Sequence, residues 1–227
     1  MCGRFARRML PESYAEPFEL ASVPELKPSF NVAPTQPILV AREHDGKREG
    51  VAMRWGLIPS WAKDKKSPQI NARSETAATK PMFRSAFKKR RCLILADGYF
   101  EWKAMGKLKQ PFLYALKDGK PFAFAGLWET WHGDGEPLET CAILTTAAND
   151  LARQVHDRMP VILTGEQAFA WIDPGIDDTA GADRNASALY AGPDDVRAGR
   201  SDGKLGQEQF PEVRRADHDR IGERQLS

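Results

Sequence analysis

The sequence predicts an α+β fold in which curved antiparallel sheets form a partly closed barrel with short flanking helices. Glycine-containing hairpin signals recur in the second half of the chain, at 105–107, 118–120 and 133–135. Apolar runs of strand length separate or follow these turns, at 112–116, 122–128 and 141–144. Short strands joined by regularly spaced turns are typical of an antiparallel meander, whose twist makes it curve.

The remaining elements are predicted from local patterns along the chain. After an opening strand come a short helix over 11–20, extended segments at 29–35 and 37–41, a turn at Asp45 and Gly46, a strand over 51–55, and a helix capped by Ser74. The second half adds a buried strand at 92–96, a half-buried strand at 99–103, a helix that opens at 145–150 and ends near 155–160, a strand at 161–163, and an amphipathic helix over 166–172.

The chain is expected to form one domain followed by a tail. After Asp173 the composition changes to Gly, Asp, Ala and Arg with few large apolar side chains. We therefore expect a single domain over 1–213, with an irregular excursion at 174–196, and a charged, mobile tail at 214–227.

Composition indicates an ordinary cytoplasmic protein. The 227 residues are 41% hydrophobic and 28% charged, which is enough for one substantial core. No apolar run approaches the roughly 20 residues of a membrane span, and the amino terminus lacks a signal-peptide pattern. The net charge of +2 is too small to indicate nucleic-acid binding without knowing where the charges lie.

The three cysteines do not suggest a disulfide framework or a zinc site. Cys92 and Cys141 lie in apolar runs, which favours buried, reduced thiols. Cys2 follows the initiator Met1, so removal of Met1 leaves a terminal residue with an amine and a thiol on adjacent carbons. An aldehyde condenses with that amine to an imine, and the thiol then closes a thiazolidine ring, which an internal cysteine cannot do. No metal or cofactor is expected.

Two residues are candidates for proton transfer. Glu101 lies between Phe100 and Trp102 in an alternating strand, so it faces either solvent or a concave surface where desolvation raises its pKa. His156 precedes a proline turn, where a histidine is either structural or a proton carrier.

Cations and aromatic residues are interleaved in two segments. Trp55 and Trp61 lie in a loop, where indoles either plug a core edge or receive unstacked bases. The charged residues of segment 80–91 are all basic, and they are interleaved with Phe83 and Phe87. Such a run is either a solvated face or, together with Arg4, Arg54 and Arg73, a stripe that binds phosphates.

Several ordered blocks of sequence resemble one known family. The blocks are M-C-G-R-F, F-N-V-A-P-T, R-W-G-L-I-P-S-W, I-N-A-R-S-E-T, D-G-Y-F-E-W-K and H-D-R-M-P. Together they resemble the SRAP family of abasic-site-crosslinking proteins, over residues 1 to about 172. The resemblance implies the SRAP fold and, as partner, single-stranded DNA that contains an abasic site.

The resemblance also implies a role for each site residue. Cys2 captures the C1′ aldehyde of the abasic deoxyribose as a thiazolidine, a covalent crosslink that shields the lesion. Glu101 transfers protons to and from Cys2, His156 protonates the sugar ring oxygen or the leaving hydroxyl, Asn71 positions the amine, and Thr145 has a lesser orienting role. The same groups imply a self-directed peptidase step that removes Met1, unless an ordinary aminopeptidase does so, and a lyase activity.

DNA contacts are implied for a further set of residues. Arg4, Arg73 and Arg158 match cations that hold phosphates, Arg84 is added from the basic run, and Trp55 and Trp61 are candidates for base stacking. We expect a monomer that makes no membrane contact and associates with the nucleoid during DNA damage.

Two other functions also fit a chain that begins Met-Cys-Gly. One is an N-terminal-nucleophile amidohydrolase, such as a glutamine amidotransferase domain, which also uses a terminal thiol and its own amine. The other is a non-enzymatic module that binds single-stranded or modified DNA, in which Cys2 is incidental.

Overall fold

Thirteen strands and four α-helices make up the computed structural model, which describes residues 2–133, 135–175 and 196–200. The strands are β1 (Arg4–Arg7), β2 (Ser29–Val32), β3 (Pro37–His44), β4 (Lys47–Trp55), β5 (Asn71–Arg73), β6 (Arg91–Ala96), β7 (Gly98–Met105), β8 (Leu108–Leu116), β9 (Phe122–Trp131), β10 (Leu138–Ala147), β11 (Arg158–Pro160), β12 (Ile162–Leu163) and β13 (Val196–Arg200). The helices are α1 (Ser74–Ala77), α2 (Arg84–Lys89), α3 (Asp150–Arg153) and α4 (Glu166–Ile172), and a 3-10 helix spans Pro11–Tyr14.

The larger of two sheets closes into a ring. Its eight strands include the path β10, β4, β3, β6 and β9, and β9 pairs again with β10. This confirms the predicted α+β class with a partly closed barrel. The pairing differs from the predicted antiparallel meander in two respects. Strands β4 and β5 both run parallel to β10. The hairpin predicted at 118–120 is wrong, because β8 and β9 lie in different sheets.

The smaller sheet brings the start of the chain to the middle of the fold. Its order is β13, β8, β7, β1 and β2. Strand β1 runs antiparallel to β7, with Arg4 opposite Phe100 and Phe5 opposite Tyr99. Residues 2 and 3 therefore lie beside Glu101, which is the next residue along β7.

Alternate residues of the ring strands pack into two separate cores. Leu39, Leu93 and Leu144 belong to the core that the α-helices α1, α2 and α4 cover. The second core contains the sequence neighbours of these leucines, together with residues of the smaller sheet. The neighbours are Val40, Ile94 and Ile143, and the residues of the smaller sheet include Phe5, Tyr99 and Tyr114. The period of two that places side chains on opposite faces of a strand thus explains how one sheet supports both layers.

Several local predictions are confirmed and others are wrong. The helix predicted over 11–20 is a 3-10 helix limited to Pro11–Tyr14. The helix predicted to open at 145–150 begins at Asp150 and ends at Arg153, because strand β10 continues to Ala147. The helix over 166–172 has the predicted bounds, and Asp45 and Gly46 both adopt positive φ, as a tight hairpin turn requires. Cys92 and Cys141 are buried and unbridged. Ser74 is not a cap, because α1 begins at Ser74 itself and Arg73 holds the N-cap position without a side-chain hydrogen bond.

The carboxyl-terminal predictions lie mostly outside the described residues. Val196 begins strand β13, so the excursion predicted at 174–196 does not include its last residue. Residues 176–195 and the tail at 214–227 are not among those described. Within the described ranges, no helix has the length and apolar character needed to cross a membrane.

Candidate active site around Cys2

Cys2 is held where the two sheets meet. The side-chain amide of Asn71 donates a hydrogen bond of 2.9 Å to the Cys2 carbonyl oxygen. The Cys2 side chain is fully buried and packs in the core that the smaller sheet shares with the ring. Burial raises the pKa of its thiol, and the charge of Glu101 raises it further.

Three neighbouring strands of the ring bring the other predicted groups together. Strand β10 lies between β5 and β11, which places Thr145 opposite both Arg73 and Pro160. Asn71 and Arg73 are two residues apart on β5 and therefore project from the same face of that strand. Asn71 and Arg73 are more than 70 positions from Thr145 in the sequence, and the sheet makes them neighbours.

Glu101 faces the protein interior. Its side chain is only 4% exposed, which decides between the two orientations that the sequence leaves open. Burial raises the pKa of this carboxyl group, while the positive charge of a protonated His156 lowers it. Glu101 therefore interacts electrostatically with both Cys2 and His156.

His156 has a partner for either protonation state. The backbone N–H of Arg158 lies 3.0 Å from Nδ1 and donates to it when the ring is neutral. A carboxylate oxygen of Asp157 lies 2.8 Å from the same nitrogen and accepts a hydrogen bond from it when the ring is charged. A histidine that is one-third exposed and supported in both states is suited to carrying protons.

Arg158 is tied to two residues of the site. Its guanidinium makes a two-pronged ion pair with Glu75, with distances of 2.5 and 2.9 Å. The same group donates to the backbone oxygen of Thr145 at 2.6 Å and to its hydroxyl at 3.3 Å. Thr145 in turn donates to the carbonyl of Ala72 at 3.3 Å, so this buried threonine links β10 to β5.

The other predicted DNA-binding cations differ in position. Arg4 is half-buried and donates to Asn31 at 3.1 Å, whereas Arg73 is exposed beside Asn71. Arg84 is exposed at the start of α2, a helix that packs on the core opposite the one containing Cys2. No described contact joins Arg84 to Cys2, Glu101 or His156.

The two tryptophans of the loop have different environments. Trp61 is 65% exposed, so its faces are open to a stacking partner. Trp55 is fully buried, donates from Nε1 to the carbonyl of Ile70 at 2.9 Å, and packs edge-on against Phe5. Its interpretation as a base-stacking residue is therefore wrong, because protein already covers both faces of the indole.

Sequence reasoning missed Glu75, Tyr99 and Tyr114. Glu75 neutralises Arg158, and the two tyrosines pack in the same core as Cys2. The spacing of Tyr99 and Glu101 signals one shared strand face, although the sequence does not show which face is covered. In the part of the chain that is described, no group of three His, Cys, Asp or Glu residues is arranged to hold a metal ion.

Comparisons with known proteins identify the family of this chain. Residues 1–195 match the model of the family described as SOS response associated peptidase (SRAP). Among similar proteins are the abasic site processing protein YoqW of Bacillus subtilis, 45% identical over 77% of this chain and 81% of its own, and YedK of Escherichia coli, 39% identical over 76% and 79%. A solved structure from Bacteroides thetaiotaomicron superposes with a TM-score of 0.79 at 28% identity, covering 88% of this chain and 91% of its own. The chain belongs to the SOS response associated peptidase (SRAP) family.

Proposed function

We propose that this protein processes abasic sites in single-stranded DNA by forming a covalent crosslink between Cys2 and the C1′ aldehyde of the abasic deoxyribose. The observation that carries the proposal is the grouping of Cys2 with Asn71 and the buried Glu101 at the meeting of the two sheets. The names of the relatives YoqW and YedK, both abasic site processing proteins, support the choice of substrate.

The reaction begins once Met1 is removed, which converts the peptide nitrogen of Cys2 into an amine. Glu101 accepts a proton from the ammonium form, and the nitrogen lone pair adds to C1′. The hydroxyl formed at C1′ leaves as water when it receives that proton, and the product is an imine. Burial raises the pKa of Glu101, which suits a carboxyl group that must both accept and return a proton near neutral pH.

Ring closure follows at the same carbon. The Cys2 thiol gives its proton to Glu101, the sulfur adds to the imine carbon, and the nitrogen takes the proton back. One water is lost overall, and the product is a thiazolidine. His156 opens the deoxyribose ring by protonating its oxygen, because the aldehyde exists only in the open form.

Asn71 and Thr145 act by orientation. Asn71 fixes the Cys2 carbonyl at 2.9 Å and so limits rotation of the reacting residue. Thr145 holds Arg158 beside His156 through two hydrogen bonds. Holding reacting groups in a fixed geometry lowers the entropic part of the barrier.

Arg4, Arg73 and Arg158 hold the phosphates that flank the lesion, and Trp61 offers an exposed ring for an unstacked base. Arg84 adds charge farther along the strand. The protein works as a monomer on exposed single strands and so accumulates at the nucleoid when DNA is damaged.

The same groups suit removal of Met1. In this route the Cys2 thiol gives its proton to Glu101 and its sulfur attacks the Met1 carbonyl carbon; the peptide bond breaks as the Cys2 nitrogen takes a proton, and water then hydrolyses the thioester to release methionine. If this route operates, Glu101→Gln retains Met1, whereas an aminopeptidase removes Met1 from both forms. Intact mass of the two purified proteins separates these routes. A lyase activity follows if the imine intermediate loses the neighbouring 3′ phosphate, and strand cleavage on a sequencing gel detects it.

The crosslink is tested with an oligonucleotide that carries one abasic site. The native protein should give a heat-stable adduct on a denaturing gel, and the matched intact oligonucleotide should give none. Cys2→Ala should form no stable adduct while still binding the strand. If Cys2→Ala retains full activity, the protein is a binding module; if the native protein releases ammonia from glutamine and forms no adduct, it is an amidohydrolase.

A further inference from the structure

Two buried tyrosines pack in the same core as Cys2, and their hydroxyls make no hydrogen bond within the described residues. Tyr99 and Tyr114 are each 1% exposed. They stand directly opposite each other on β7 and β8, with stacked rings whose centroids are 4.8 Å apart and whose planes differ by 12°. The pair therefore places two hydroxyl groups side by side in the interior.

The strand register puts this pair on the same face as Glu101. Tyr99 and Glu101 are two residues apart on β7, and Tyr114 and Phe112 lie opposite them on β8. Cys2 packs in the same core as both tyrosines. Burial raises the pKa of Tyr114 to about 12 with a further contribution from the charge of Glu101, and the pKa of Tyr99 rises for the same reasons with an added effect of Cys2.

Packing alone does not account for these hydroxyls. A phenylalanine fills nearly the same space, and burying a hydroxyl without a partner costs free energy comparable to a lost hydrogen bond. Tyr14 shows the usual solution in this fold, because its buried hydroxyl donates to Asp97 at 3.0 Å. The hydroxyls of Tyr99 and Tyr114 have no such partner within the described residues. Because Cys2 and Glu101 are anionic at stages of the proposed reaction, these hydroxyls are suited to donate hydrogen bonds to them.

We propose that Tyr99 and Tyr114 are positioning residues for thiazolidine formation, whose hydroxyls donate hydrogen bonds to the anionic forms of Cys2 and Glu101. This inference rests on the proposed function. When the Cys2 thiol gives its proton to Glu101, negative charge moves onto a buried sulfur. Nearby donors stabilise that charge, and they also stabilise the Glu101 carboxylate before it accepts the proton.

The test compares Tyr99→Phe, Tyr114→Phe and the double variant with the native protein. Two reactions are followed: adduct formation with abasic single-stranded DNA, and thiazolidine formation at Cys2 with formaldehyde, read by intact mass. Each single variant should react about tenfold more slowly in both, with the rising limb of the pH–rate profile moved to higher pH. Binding to the intact oligonucleotide and the Tm should not fall.

Tyr14→Phe is the matched control. It removes a buried hydroxyl that has a partner, so it should lower the Tm and leave both reaction rates of the folded protein unchanged. The proposal is overturned if the Tyr99 and Tyr114 variants keep the native formaldehyde rate and pH profile. A native protein that reacts with formaldehyde but not with abasic DNA overturns the proposed function instead, and the comparison of the tyrosine variants still decides their role.

Discussion

The side-chain amide of Asn71 donates a hydrogen bond of 2.9 Å to the backbone carbonyl of Cys2, residues that are 69 positions apart. The other end of this amide, Oδ1, is buried and accepts no hydrogen bond within the part of the chain described. An unused acceptor next to the Cys2 backbone suits an ammonium or amine hydrogen at that residue. One side chain therefore both fixes Cys2 and offers its nitrogen a partner.

Replacing Asn71 should slow the chemistry and spare DNA binding. We expect Asn71→Ala to reduce the rate of adduct formation by about 10- to 100-fold, because the loss of one or two hydrogen bonds frees the reacting residue. Single-turnover rates at saturating protein measure this. Asn31→Ala is the matched control, since Asn31 accepts from Arg4; it should raise the Kd for the strand instead. Equal effects on Kd from both variants would contradict the assigned roles.

The pH dependence should follow the raised pKa of Glu101. Because burial favours the neutral acid, the carboxylate that accepts the proton forms only at a pH above the ordinary glutamate range. The native crosslinking rate should therefore increase with pH through that raised pKa. The crosslinking rate of Glu101→Gln should be low and should not show this increase. A Glu101→Gln protein with the native rate at every pH would exclude the proton-transfer role.

The same shift makes a prediction about stability. A carboxyl group whose pKa is higher in the folded than in the unfolded state contributes stability below its unfolded pKa and loses that contribution as pH rises through its folded pKa. Glu101→Gln should therefore gain in Tm over the native protein as the pH is raised, and the difference should shrink in acid. Thermal unfolding across a pH series measures it, and a difference that grows toward acid would contradict burial as the main cause.

Glu75 should compete with DNA for Arg158. The ion pair occupies the guanidinium that is proposed to hold a phosphate, and the hydrogen bond from Arg158 lowers the pKa of Glu75. Glu75→Gln should bind single-stranded DNA more tightly, with a salt dependence steeper by about 0.7 in log Kd per log salt, the value for one additional phosphate. Fluorescence anisotropy at several salt concentrations measures both. Glu16→Gln, an exposed change of the same charge, should leave the slope unaltered; an equal increase in both would indicate net charge alone.

Asp97 should be essential for folding and unimportant for chemistry. Its buried carboxylate pairs with Arg8 at 2.6 Å and accepts from the backbone of Arg8 and the hydroxyl of Tyr14. Asp97→Ala should lower the free energy of unfolding by about 3–5 kcal/mol, because four donors, including the backbone N–H of Met9 at 3.3 Å, lose a buried partner. Urea unfolding measures this, with the exposed Asp118→Ala as control. A loss no greater than that of the control would contradict this account of the network.

Local sequence patterns were sufficient for much of the sheet. The hairpin turns near Gly46 and Gly106 and the helix Glu166–Ile172 depend on residues close together in the chain, so turn chemistry and periodicity predict them. The turn at Gly119 is not a hairpin, because it joins β8 of the smaller sheet to β9 of the ring. The terminal position of Cys2 likewise reveals its chemistry without any fold.

Long-range contacts were not accessible in this way. Alternation in β7 places Glu101 and Tyr99 on one face, but only the packing of the smaller sheet against the ring shows that this face is covered. Trp55 and Trp61 are only six positions apart, and their exposure differs because Trp55 ends a ring strand whereas Trp61 lies in the following loop. The parallel pairing of β5 with β10 and the Glu75–Arg158 ion pair depend on elements far apart in the chain.

The central claim is that the nitrogen and sulfur of Cys2 close a ring on the abasic aldehyde. Intact mass spectrometry after reaction with an abasic oligonucleotide tests it most directly, with and without borohydride treatment. The account predicts a mass equal to the protein without Met1 plus the oligonucleotide minus one water, mapped to Cys2 and unchanged by borohydride. An adduct that retains Met1, that gains two hydrogens as an imine does, or that forms equally well in Cys2→Ala would contradict it.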